Sequence, residues 1–259
     1  MPLENRRAHT NVLNFIGDSQ PDEVINIGDL TDYTAPARWS AGRRAEFGMS
    51  VKEEAAYTRR AHLDLFRAKY DGPYTLLGSN HGERPRKYLV DRAPALGTED
   101  EYNEDRLLQL DTYGVRYESL KYDFAAGWTA THGHARGISM SRVAGGTAMN
   151  AARMFQRSVV MGHTHRAGIV SETKGMGASK MLTGVEVGHL MDLNKAEYLG
   201  RARFANWQSA FGLFYVEGSN VQPHVISVNR DGSFIVEGER FGKVVRGVGG
   251  RFVKKGDTT

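Results

Sequence analysis

The stretch VVMGHTHRAG, Val159–Gly168, sets two histidines one residue apart directly after an apolar run. An apolar run of this length reads as a short buried strand, and residues spaced by two at a strand end can aim their side chains the same way. Two imidazoles so placed either share a metal ion or sit solvated on a surface loop. The rest of the chain has to decide between them.

Three other short apolar runs end in polar tips. EVINIGD (Glu23–Asp29) ends in Gly28-Asp29, PYTLLGSNH (Pro73–His81) in Ser79-Asn80-His81, and the run before His132 in His132-Gly133-His134. Helical patterns lie between several of them. Ala8, Val12, Phe15 and Ile16 keep helical spacing up to a stop at Gly17. Residues 43–69 read as one long helix, residues 99–110 as helical, and residues 147–157 as a helix running straight into the strand SVVM. Strands alternating with helices predict an α/β core whose site collects at the carboxyl ends of the strands. From about residue 167 the segments GLFYVEG, HVISVN and GSFIVEG read instead as antiparallel strands separated by turns.

Together Asp29, Asn80, His132, His163 and His165 supply one carboxylate, one amide oxygen and three imidazoles. That donor set suits Mn²⁺, Fe²⁺ or Zn²⁺ better than Ca²⁺. The chain has no cysteine, so disulfides and thiolate metal sites are excluded, and a reducing cytoplasm is the expected location. Neither a secretion signal nor an apolar run of membrane-spanning length is present in the sequence as read, and no membrane partner is expected.

The ordered motifs GDLTD, SNHGE, THGH and GHTH resemble those of the calcineurin-like metallophosphoesterases, over roughly residues 20–170, and the later β segments resemble the phage and bacterial branch of that family. The family pattern is D-x-H, G-D-x-x-D, G-N-H-D/E, a lone H, then G-H-x-H. The resemblance implies a four-layer α/β/β/α sandwich over residues 1–235, with residues 236–259 as a basic tail. It implies a two-metal site, Mn²⁺ first and Fe²⁺ or Zn²⁺ as alternatives. Asp29 would bridge the two ions. Asn80, His132 and His163 would complete one shell, and His165 would bind the other ion. His81 would be the catalytic histidine and Asp32 its orienting neighbour. Glu83 could partner His81 as well. Arg84 and His134 are candidates for contact with the substrate phosphate. The expected partner is a phosphoester, with nucleotides and nucleic acid among the possibilities.

Two departures stand out. The third motif reads GSNHGE, so Gly82 displaces the acidic residue that should follow His81. The first motif, D-x-H, is absent. Met1-Pro2 stands where a D-x-H-x-P motif would end, which predicts that an aspartate, a histidine and their strand lie upstream of the residues given. As written, one metal keeps four protein ligands and the other keeps two, Asp29 and His165. The competing expectation is a non-catalytic metal- or nucleic-acid-binding module. The stretch Arg240–Lys255, with six basic and no acidic residues, leans toward nucleic acid or is a solvated end. His9, His62 and His224 read as ordinary. His189 is the one to watch because it ends another apolar run. Trp207 reads as a packing residue.

Overall fold

The computed structural model describes residues 1–48, 50–98, 100–178, 180–195 and 205–242. The basic stretch from residue 243 onward lies outside them.

Strands β1 (Val24–Asn26), β2 (Tyr74–Leu77) and β3 (Val115–Glu118) form a parallel sheet in the order β1-β2-β3. All four β2 positions are buried, the signature of a parallel strand covered on both faces. A second sheet takes the order β4-β5-β6-β8-β7, from β4 (Lys121–Ala125), β5 (Trp128–Thr131), β6 (Ser158–Met161), β7 (Ala167–Lys174) and β8 (Lys180–Val187). Here β5, β6 and β8 run parallel, and the edge strands β4 and β7 are antiparallel to their neighbours.

The period-2 alternation of the strands assigns each face. On β2, Tyr74 and Leu76 pack with Leu13, Leu63 and Phe66 from the helices, while Leu77 turns to Trp128, Ala130, Val160 and Val185 of the second sheet. On β6, Val159 and Met161 meet Ala148, Met149 and Ala152 of one helix, and Val160 faces the first sheet.

Helix α1 (Arg6–Ser19) is capped by Asn5, whose side chain accepts from the Ala8 amide at 3.2 Å. It runs through Gly17, the expected stop, and ends at Gln20, which takes the left-handed conformation. The long helix expected over residues 43–69 is shorter at its start. Arg44–Phe47 is a separate 3₁₀ turn, and a capping box at Ser50 and Glu53 opens α2 (Val51–Thr58). A π-helical stretch, Arg59–Leu63, carries α2 into α3 (Asp64–Arg67). Helices α4 (Arg84–Arg92) and α5 (Glu104–Leu107) fill the crossover from β2 to β3, and α6 (Gly146–Phe155) links β5 to β6. Gly184 on β8 lets α6 approach closely, since a Cβ there would stand 2.6 Å from Met149 Cα.

The segments expected to be antiparallel form two hairpins, β9 (Ala210–Glu217) with β10 (Asn220–Ser227), and β11 (Phe234–Val236) with β12 (Glu239–Phe241). Phe211, Phe234 and Phe241 pack on Ala8 and Phe15 of α1. The expected boundary between domain and tail, at residues 235/236, falls within β11. Among the described residues, no helix is long and apolar enough to cross a membrane.

Candidate metal centre

The four polar tips leave the carboxyl ends of β1, β2, β5 and β6 and meet between the two sheets. Asn80 Oδ1 lies 2.9 Å from His132 Nε2 and 2.9 Å from His163 Nδ1. The two ring nitrogens are 3.3 Å apart, and Asp29 Oδ1 is 3.4 Å from His132 Nε2. Asp29 (φ 55°), His163 (φ 63°) and His165 (φ 58°) all occupy the left-handed backbone region, which L-residues with a Cβ rarely adopt. Strain of this kind persists where the surroundings over-determine it, and it clusters at functional sites.

Tautomers sharpen the geometry. His132 Nδ1 is 2.7 Å from the Ile27 carbonyl oxygen, which can only accept, so Nδ1 carries the proton. Burial pulls the His132 pKa down to about 4, against the attraction of Asp29, so the ring is neutral at ordinary pH. Its Nε2 lone pair then faces two more acceptors, Asn80 Oδ1 and Asp29 Oδ1. Burial would raise the Asp29 pKa, yet His132, His81 and the Ser79 hydroxyl hold it well below the ordinary carboxylate range. With the His163 proton on Nε2, its Nδ1 lone pair would join them at one point, an arrangement that a cation would hold together.

Their separations suit one. At a metal–ligand distance of roughly 2.1 Å, neighbouring ligand atoms stand about 3.0 Å apart in an octahedron and about 3.4 Å apart in a tetrahedron. Among the described residues, His, Cys, Asp and Glu side chains alone make no metal-holding group of three. The amide of Asn80 is what completes the convergence.

His165 lies close enough to Asp29 for their charges to interact. Burial lowers its pKa to about 4, against the attraction of Asp29, and its Nδ1 is buried without a hydrogen-bond partner. Its ring packs edge-on against Trp207 at 4.4 Å between centroids and lies 5.7 Å from His189. His189 Nδ1 accepts from the Met191 amide at 3.0 Å, so its proton sits on Nε2, which is buried and unpaired. The backbone of Met1 lines this region as well, its amine donating to the Leu30 carbonyl at 2.6 Å and its carbonyl accepting from Asp32 N at 3.0 Å.

His81 Nδ1 lies 2.9 Å from Asp32 Oδ1, and His81 Nε2 lies 3.7 Å from Asp29 Oδ2. Asp32 is held in turn by Thr34 Oγ1 at 3.0 Å and by Arg84 at 3.6 Å. Asp32, read as the orienting neighbour of His81, is thus in direct contact with it. Glu83, the other residue read as a partner for His81, pairs with Lys87 and, at 3.4 Å, with His134 Nε2. Arg84, read as a phosphate contact, is 11% exposed, donates to the Asp32 carbonyl and stacks on Trp39 at 4.4 Å. It buttresses Asp32. His134 stands 5.3 Å from His132 between ring centroids, at the edge of the set.

His9 and His62 form a chain to Tyr74 (2.9 and 2.7 Å) inside the helical layer, and Tyr74 OH accepts in turn from Asn26 Nδ2 at 3.1 Å. Sequence reasoning undervalued Trp207 and passed over Glu104, which packs against Gly82 beneath the Asn80–His81 turn. The displaced acidic residue of the third motif is the one signal that pointed to Glu104.

No protein-family model matches the chain. It is 42% identical over 240 residues to the Gene 54 protein of Mycobacterium phage D29, covering 92% of this chain and 93% of that protein. The Gene 54 protein of Mycobacterium phage L5 is 41% identical over 240 residues, with the same coverage. Among solved structures, a single mutant of Vps29 from Entamoeba histolytica superposes with a TM-score of 0.30 at 17% identity, over 70% of this chain and 87% of that one. That score is too low to carry an argument about fold. The identities to the phage proteins extend over nearly their whole length, and on that ground the chain belongs to the family of the mycobacteriophage Gene 54 proteins.

Proposed function

We propose that the chain is a metal-dependent phosphoesterase, hydrolysing a phosphodiester or phosphomonoester with a divalent cation held by Asp29, Asn80, His132 and His163. Mn²⁺ is the expected ion. The observation that carries this reading is the convergence of Asp29 Oδ1, Asn80 Oδ1, His132 Nε2 and His163 Nδ1, 2.9–3.4 Å apart, a donor set and spacing that suit a divalent cation. The apolar clusters favour the four-layer arrangement that the motif resemblance implies, with helices on the outer face of each sheet and a core between the sheets.

When bound, such a cation supplies Lewis-acid polarisation of a phosphoryl oxygen and neutralises charge. The remaining work falls to the chain. His81 holds its Nδ1 proton toward Asp32, which fixes the ring and turns Nε2 into the site. From there Nε2 can hold or deliver a proton at the leaving oxygen, and Asp32 stabilises the imidazolium form. Arg84 fixes Asp32 from behind. His165 extends the donor set beyond Asp29 toward a second cation, for which the described residues offer only these two ligands.

That sparse second set favours one other reading, a non-catalytic metal-binding module. Hydrolysis of bis-p-nitrophenyl phosphate with Mn²⁺ separates the two. The phosphoesterase reading expects turnover by the wild type and a loss of about 10²–10⁴-fold in His81→Ala, the usual contribution of a proton-transfer group. Equal inertness of both proteins with Mn²⁺ bound would leave the binding module.

A further inference from the structure

Gly82 is buried, and its φ lies outside the left-handed region, so its backbone does not require glycine. Space does. A Cβ built on Gly82 would overlap the carboxyl group of Glu104, and even the more distant oxygen, Oε1, would lie 2.7 Å away. Glu104 comes from the start of α5, twenty-two positions along the chain, and is 3% exposed. Its Oε2 meets Tyr117 OH at 3.4 Å, and its Oε1 is buried with no partner. The motif pattern places an acidic side chain directly after His81, and there this chain has Gly82. The carboxyl group of Glu104 fills the room that such a side chain would take.

We propose that Glu104 is a positioning residue of the metal centre, delivering from α5 the carboxyl group missing next to His81 and wedging the Asn80–Glu83 turn in the conformation that aims Asn80 and His81. The turn is tight: Gly82 N donates to Ser79 Oγ at 3.0 Å and Glu83 N to the Ser79 carbonyl at 3.0 Å. Without the carboxyl group the turn has a void behind it, and Asn80 Oδ1, the atom on which two imidazoles converge, loses its support. Glycine at 82 and glutamate at 104 are thus two halves of one arrangement. The proposal rests on the metal-centre reading, and the test below separates the failure of one from the failure of the other.

A reciprocal exchange tests it on the full chain, with two readouts: thermal unfolding in EDTA, and Mn²⁺ affinity by calorimetry. Gly82→Asp alone puts two carboxyl groups into one space and should lower Tm by about 3–10 °C, the range for overpacking a domain of this size. Glu104→Ala alone should weaken Mn²⁺ binding by roughly 10–100-fold, as loss of support behind a metal ligand does. The double variant Gly82→Asp/Glu104→Ala returns one carboxyl group to the space and should recover Tm to within a few degrees and Mn²⁺ affinity to within about threefold. Glu104→Gln keeps the shape and should bind Mn²⁺ within about threefold of wild type. It also serves if Glu104→Ala does not fold. Additive damage in the double variant overturns the proposal, as does a Glu104→Gln that binds as weakly as Glu104→Ala. If the wild type binds no Mn²⁺, the metal-centre reading fails, and the Tm exchange alone still decides whether the two positions share one space.

Discussion

Replacing Glu104 by glutamine tests the burial of this carboxyl group quantitatively. Burial, and then the nearby charge of Asp29, raise its pKa from 4.5 to about 8 in the folded chain. Asp105 and Glu83 add to the rise, and the bond to Tyr117 opposes it. The sign follows from proton counting. Between these two pKa values the folded state holds a proton on Glu104 that the unfolded state has released, so stability falls as pH rises through that window. One proton corresponds to a slope of about 1.4 kcal/mol per pH unit, and the whole window to something on the order of 5 kcal/mol. Glutamine has nearly the same shape and no proton to lose. Urea unfolding in EDTA at pH 5, 6, 7 and 8 should therefore show Glu104→Gln gaining on the wild type by about 1.4 kcal/mol per pH unit, with the gap levelling off above pH 8. Glu54, whose pKa burial raises to about 7, titrates in both proteins and cancels in the difference. Parallel pH profiles for the two proteins would refute the argument, because a carboxyl group free to ionise at pH 6 is not enclosed against Gly82 as the structure has it.

Other expectations follow from the same geometry. At a Mn²⁺ concentration about 100-fold above Kd, the wild type should gain about 3 kcal/mol, read as a rise of roughly 5–10 °C in Tm by differential scanning fluorimetry. His163→Ala should abolish that rise, and an undiminished rise would remove His163 from the ligand set. Asp32→Asn takes away the carboxylate that orients His81 and should cut bis-p-nitrophenyl phosphate turnover at least about 10-fold, with Mn²⁺ affinity little changed. Equal losses in turnover and affinity would instead place Asp32 among the groups that hold the metal. Gly184→Ala drives a methyl group into the backbone of α6 at Met149 and should lower Tm by about 3–10 °C in circular dichroism melts. An unchanged melt would mean that α6 can retreat from β8 at no cost.

How far the sequence reveals such a site depends on how each part is encoded. The strands β1, β2, β5 and β6 are legible because each is a short apolar run closed by polar residues, and that signal is local. The helix starts are less legible. Nothing in the periodicity of residues 43–69 separates Arg44–Phe47 from α2, and the break comes from the Ser50 capping box. The His163–His165 pair was found for a reason that turns out to be incomplete. Strand alternation was expected to aim both rings together, yet β6 ends at Met161, and both histidines lie beyond it in left-handed backbone, with Thr164 buried between them. His163 meets Asn80 and His132 while His165 meets Trp207 and His189, so tertiary packing rather than strand alternation directs each ring, at a cost of roughly 1–2 kcal/mol for each residue held in that backbone region. Asp29 pays the same penalty at the end of β1. The least legible parts are those that tertiary packing alone creates: Trp207 and His189 against His165, and Glu104 against Gly82. Such contacts leave no spacing to read. Gly82 left a trace because a motif with an acidic residue out of register asks where the carboxyl group went, and α5 supplies an answer.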